Sequence, residues 1–275
     1  FLADRLDRDA IFEAMRRRHH YGTTGSRIHV DLRVRLDTPG TLFLRDPRAE
    51  PDAASLAVNE VKMGDIVQTD ATSVKLLVEI AAPAPIHKVT LHNGAQLIET
   101  LRPFGDSELG ERFRVTWAGA EYRGRGRETT WNGRARFHGR RILRFEKFNA
   151  WNRERLFEQR GSDTVIWESI TTGNFVGFDV WLAGDDGEIE ITTNHGNLSA
   201  ALSEIGCEEC TLNAGGLERR LDICRLPEEN RHRAFEFSRE IELNEVGDNP
   251  LWISATTEDG HCLWTSPVYL IEARR

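Results

Sequence analysis

Apolar and polar residues alternate with a period of two through most of this chain, the pattern of half-buried strands. Ile28, Val30, Leu32, Val34 and Leu36 alternate with Arg27, His29, Asp31, Arg33 and Arg35, and Thr38-Pro39-Gly40 predicts a turn. Val74, Leu76, Val78 and Ile80 form the next run. Asn93-Gly94 between Val89–His92 and Leu97-Ile98 predicts a hairpin, because Asn-Gly suits the tight turns that join antiparallel strands. Phe113, Val115 and Trp117 close a first set. Ala135 and Phe137, then Ile142, Leu143 and Phe145, lie between turn signals at Asn132-Gly133 and His138-Gly139. Further strands are expected at 165–167, 175–182, 189–192, 217–226, 235–243, 251–255, 263–264 and 268–270, with turns at Asp185-Asp186-Gly187, Asn194-His195-Gly196 and Glu258-Asp259-Gly260.

One segment has the helical period. Ala10, Ile11, Ala14, Met15 and Arg18 share a stripe. Asp7 and Asp9 stand at its positive end, Arg16–Arg18 at its negative end, and Gly22 is the expected stop. The fold class is therefore mainly β. We expect an immunoglobulin-like sandwich plus an inserted β domain, with one N-terminal helix. The sandwich is assigned to 28–118 with 250–275, and the insertion to 119–249. The insertion leaves through the glycines of 119–126 and returns through Gly247-Asp248-Asn249-Pro250.

Composition narrows the function. There are 36 Lys plus Arg against 44 Asp plus Glu, a net charge of −8, so the chain as a whole is unsuited to nonspecific nucleic-acid or membrane binding. No apolar run reaches the ~20 residues that span a bilayer. Four Cys are too few for a disulfide scaffold and point to a reducing, cytoplasmic setting. The chain opens on Phe1 rather than Met and has no signal-peptide pattern, so residues 1–27 read as the remnant of a preceding domain.

The run from Asp9 to Ile28 resembles the PHP-like proteins (polymerase and histidinol phosphatase superfamily). There a helix followed by Tyr-x-Thr-Ser/Thr-Gly-x-Arg-Ile leaves the catalytic barrel and enters a C-terminal β domain. Tyr21, Thr23, Thr24, Gly25, Arg27 and Ile28 match that run. The hairpin Val89–Leu97 and the ending Ser266-Pro267-Val268-Tyr269 also resemble parts of that β domain. The resemblance implies metal-dependent hydrolysis of phosphate esters, by a barrel whose His and Asp side chains hold divalent metal and activate water. Those ligand motifs lie N-terminal to the helix in the family, and this chain has no His-x-His pair. It therefore resembles the accessory region, with metal and catalysis expected in an N-terminal domain that is also its expected partner. Tyr21, Thr23, Thr24, Gly25 and Arg27 would form a ligand or interdomain loop.

Other constellations carry chemistry. Arg123, Arg125, Arg127, Arg134, Arg136, Arg140, Arg141 and Arg144 form a basic stripe with one acid, Glu128. The first five are candidate anion-binding residues. The simpler reading is a solvated strand face, with pairing to acids such as Asp185, Asp186 and Glu188. Cys207 and Cys210 with Cys224 could ligate zinc, form a disulfide or stand unlinked; unlinked thiols are the commonest case. Asp259-Gly260-His261 is explained by turn chemistry, and His19-His20 by a solvated helix end. Of seven Trp, Trp167, Trp181 and Trp252 are expected buried and Trp131 and Trp151 exposed. The alternative function is a free-standing β-sandwich module that binds carbohydrate or an anionic ligand.

Overall fold

β-branched and aromatic residues in period-2 runs favour the pleated backbone, and the chain is mainly β, with 58% of residues in strands and 6% in helix. The computed structural model describes residues 1–184 and 186–272. The chain divides into two units, residues 1–103 with 231 onward, and Phe104–Asn230.

In the first unit the 15-residue strand His29–Phe43 is central. Its first half pairs with Ser73–Ala81, which also pairs with Ala234–Glu242. Ser55–Lys62 pairs with Arg33–Arg35 of the central strand and, after an irregularity, with Gly40–Phe43, and Thr41–Phe43 also pairs with the strand Ile66–Thr69. A second group has Asn249–Thr257 between Ile86–Asn93 and Cys262–Thr265, with Tyr21–Thr23 outermost. Val268–Glu272 joins the groups, antiparallel to Asn249–Leu251 and parallel to Ile66–Thr69. Inward rows of both groups, including Val30, Leu76, Leu91, Ile253 and Leu263, meet in one aliphatic core. The Asn93-Gly94 hairpin forms, with Asn93 opposite Gln96 and Gly94 at φ 58°, the left-handed region open to glycine.

The second unit has two antiparallel five-stranded sheets. One runs Arg141–Phe148, Phe175–Ala183, Leu109–Ala120, Leu217–Pro227, Cys210–Asn213. The other runs Phe157–Arg160, Thr164–Thr171, Thr129–His138, Glu188–Thr193, Gly196–Ala201. Trp117, Trp131, Trp167, Phe113, Phe137 and Phe178 fill its core.

Several boundaries differ from the sequence expectation. The units divide at 103/104 and 230/231, not at 118/119 and 249/250. Leu109–Ala120 pairs only within the second unit, whereas Ala234–Glu242 adds an edge to Ser73–Ala81 of the first. Alternation reports which face a side chain takes, not which strand lies beside it. Residues 1–27 belong to the first unit rather than standing apart from it. The helix spans Arg8–Arg16, with the Asp7 carboxylate accepting the Ala10 N–H at 2.8 Å. It stops at Arg17, and Arg18 takes φ 60°, well before Gly22. Thr38-Pro39-Gly40 is no turn. The strand continues through it, and its pairing slips between Arg35 and Gly40, as proline at a bulge permits. Asn132-Gly133 lies within a strand, where a Cβ on Gly133 would collide with the Trp167 indole.

Candidate functional site

The Tyr21–Ile28 run forms the outer edge of the first unit. Tyr21, Gly22 and Thr23 pair with Thr265, Trp264 and Leu263. Thr24 then fixes the loop to the last hairpin. Its N–H donates to the Cys262 carbonyl (3.1 Å), and its hydroxyl accepts the Cys262 N–H (3.0 Å) and contacts His261 Nδ1 (3.2 Å). Thr23 Oγ1 accepts the Gly25 N–H at 3.4 Å, and Gly25 takes φ 108°. The result is an open cleft of about 330 Å³ lined by Tyr21, Thr23, Gly25, Ser26, Arg27 and His29. Four of the five predicted loop residues, Tyr21, Thr23, Gly25 and Arg27, line it. Thr24 serves as its anchor to the hairpin.

His29 also borders a second groove of about 560 Å³, with Arg17, Arg33, Glu60, Lys62 and Asp65. The carboxylates here are paired. Arg33 binds Asp31 (2.6 Å) and Glu60 (3.3 Å), and Arg35 binds Glu60 (3.1 Å). Asp65 receives His19 Nε2 (2.8 Å), Arg17 Nη2 (3.1 Å) and the Lys62 N–H (3.0 Å). Burial pushes the Asp65 carboxyl up. Hydrogen bonds from His19 and the Lys62 amide, with the His19 and Arg17 charges, outweigh it and hold the group below the usual aspartate value. His19 is 3% exposed, so it is a buried tether between the end of the helix and Asp65, not a solvated helix end.

The basic stripe is not one surface. Arg123, Arg125 and Arg127 are exposed in the connection after Leu109–Ala120. Arg134 and Arg136 lie on the outer face of Thr129–His138, and Arg141 and Arg144 on a strand of the other sheet. Arg140 is buried and bridges Glu111 and the Ala183 carbonyl. The acids receiving these arginines include Asp163 for Arg136, Glu111 for Arg140 and Glu146 for Arg144, rather than Asp186 or Glu188. Asp185 lies outside the described residues. Cys207, Cys210, Cys224 and Cys262 carry no disulfide, and the first three are not gathered as a ligand set. His261 is held by Thr24, and Asp259 accepts from the Thr257 hydroxyl within its turn.

The tryptophans also redistribute. Trp131 is fully buried and donates to Thr171 Oγ1 at 3.0 Å, contrary to the expected exposure. Trp151 is 69% exposed and Trp264 44%. Trp252 is half-buried on the outer face of the first unit, not in its core.

Two further clusters lie outside the sequence expectation. Asp179 is the one acid in the apolar run 175–182, and it lies between Arg114 (Nε–Oδ1, 2.7 Å) and Arg112 (Nε–Oδ2, 3.2 Å), all three buried. An acid within a run that is otherwise buried marks a paired charge. The stack of Trp252 on His92 has no signal, since 160 residues separate the partners.

A family model described as a protein of unknown function (DUF3604) matches residues 2–98, which hold the helix, the Tyr21–Ile28 run and the first strands of the first unit. No curated protein and no solved structure matches the chain.

Proposed function

We propose that this chain is the C-terminal accessory region of a PHP-like, metal-dependent hydrolase of the phosphoesterase type. It lacks the catalytic metal site itself, and the divalent metal belongs to an N-terminal domain of the same protein. The helix carries this reading. Ala14 faces inward at 3% exposure, while Phe12 and Met15 are 55% and 51% exposed. Covering the exposed half of such side chains gains roughly half of the ~1.5–3 kcal/mol that full burial is worth, and the helix ends a few residues before the Tyr21–Arg27 loop that the resemblance places at the domain junction. The anchoring of that loop by Thr24 supports a fixed interdomain role. No helix among the described residues is long and apolar enough to cross a membrane, and the four unlinked cysteines support a cytoplasmic setting.

The test has two arms. The reading frame upstream of Phe1 should encode a barrel with His-x-His and Asp-x-His motifs. The isolated chain should leave p-nitrophenyl phosphate intact with manganese or zinc, while the joined protein hydrolyses a phosphate ester. Metal-dependent turnover by the isolated chain, or an upstream frame without such a barrel, overturns the reading. A Phe12→Asp, Met15→Asp variant should weaken association of separately expressed halves.

A further inference from the structure

The outer face of the first unit carries an ordered aromatic and hydroxyl surface. Trp252 stacks on His92 with centroids 4.1 Å apart and planes 8° from parallel, and its indole N–H donates to the Gly94 carbonyl at 2.8 Å. Both rings are thus held in one orientation. Burial lowers the His92 pKa, which keeps the ring neutral near pH 7. His92 Nε2 meets Thr90 Oγ1 at 2.9 Å, and Thr90 Oγ1 meets Ser254 Oγ at 2.6 Å. Ser254 lies directly across from Trp264, which lies across from Gly22. Trp264 is 44% exposed, and Gly22 puts no side chain over it. Trp252 and Trp264 are diagonal neighbours on one face, a placement that separates them by roughly 7–8 Å.

This arrangement selects a ligand class. Its centre of Trp264, Trp252, His92, Ser254 and Thr90 carries no formal charge, and the next residue of the Thr90–His92 row, Lys88, stands opposite Thr256 at the border of the face. The exposed indole offers a flat apolar face, and the hydroxyl chain beside it offers donors and acceptors already fixed in direction. A pyranose ring presents the matching features, an apolar C–H face edged by hydroxyls. We propose that this face binds a neutral carbohydrate, with one sugar ring lying on Trp264 and its hydroxyls on Ser254 and Thr90. The neighbouring ring lies against the Trp252–His92 stack. This assignment rests on the first unit alone and is independent of the hydrolase reading.

Affinity electrophoresis tests it, with the whole chain run through gels containing β-glucan, xylan or galactomannan, and polygalacturonate as the anionic control. At least one neutral gel should retard the chain. Trp264→Ala should weaken that retardation at least tenfold, Trp264→Tyr should retain part of it, and Trp151→Ala should leave it unchanged. Gly22→Leu keeps Trp264 but shields it. A Cβ at Gly22 meets nothing within 4 Å, so this variant should fold and also bind weakly, which decides the matter if Trp264→Ala unfolds. No retardation in any neutral gel, retardation only by polygalacturonate, or full retardation of both Trp264→Ala and Gly22→Leu overturns the proposal.

Discussion

The two units solve one problem, filling the space between β layers, with different side chains. The buried cluster of the first unit is built from Val, Leu and Ile with Met63 and Ala255, and its aromatic neighbours Tyr21, Phe235 and Phe237 are only partly buried against it. The second buries Phe113, Trp117, Trp131, Phe137, Phe157, Trp167 and Phe178 together. Aliphatic rows satisfy themselves by area alone. Indoles bring an N–H to be placed: Trp117 donates to Ser169 (3.1 Å) and Trp131 to Thr171, while the buried Trp167 N–H has no partner among the described residues. The second unit also buries a charge cluster, Arg112–Asp179–Arg114, with Arg114 packed over Phe148 and Arg112 over Trp181. The first unit instead places Trp252 and Trp264 outside its core, where they are available to a ligand. Tryptophan is mostly filler in the second unit, where Trp151 alone is exposed, and in the first unit both tryptophans lie outside the core.

The contrast is most sharply tested at Trp117, which is fully buried and stacked on Trp167 at 4.6 Å. Trp117→Ala should cost about 3–5 kcal/mol. Urea unfolding should show the loss, with hydrogen exchange rising in the strands of 104–230 and little changed in those of 29–81. A loss below about 1 kcal/mol would break the picture of an aromatic core.

Asp179→Asn should cost a similar about 3–5 kcal/mol, because two buried guanidiniums lose their counter-ion. Burial pushes the Asp179 carboxyl up, but Arg114 and Arg112 hold it below the ordinary value. A depressed carboxyl contributes stability above the unfolded value of about 3.9, lost as pH falls through the folded value. The urea midpoint of the wild type should therefore fall below about pH 4, and that of Asp179→Asn should fall less. Parallel acid limbs would remove Asp179 as the cause.

The aliphatic core should be more forgiving. Leu76 is fully buried, yet Leu76→Met conserves volume and should cost under about 1.5 kcal/mol by thermal melt. A larger loss would show the first core to be as shape-specific as the second. Smallest of all, Trp264→Ala should move stability by no more than about 0.5 kcal/mol. A drop above about 2 kcal/mol would mean that Trp264 is structural, and the comparison of filler with surface chemistry would fail.

Much of the candidate site was legible. Tyr21, Thr23, Gly25 and Arg27 are close in sequence, and short spacing along one edge strand and the loop after it keeps them together in one cleft. The His19–Asp65 pair was not, since 46 residues separate its members and a His beside three Arg reads as solvated.

Period-2 alternation by itself determined the strand class, the inward rows such as Val30–Leu32–Val34 and Val74–Leu76–Val78, and the Asn93-Gly94 hairpin, because pleat and turn are properties of a few adjacent residues. Only the tertiary structure decided that Phe113–Trp117 belongs with Phe175–Ala183 and that the arginines of 123–144 scatter over a loop and two sheets. It alone also buried Trp131 and exposed Trp264. Each of these depends on which distant strand is the neighbour, and a backbone that repeats every two residues carries no label for its partner.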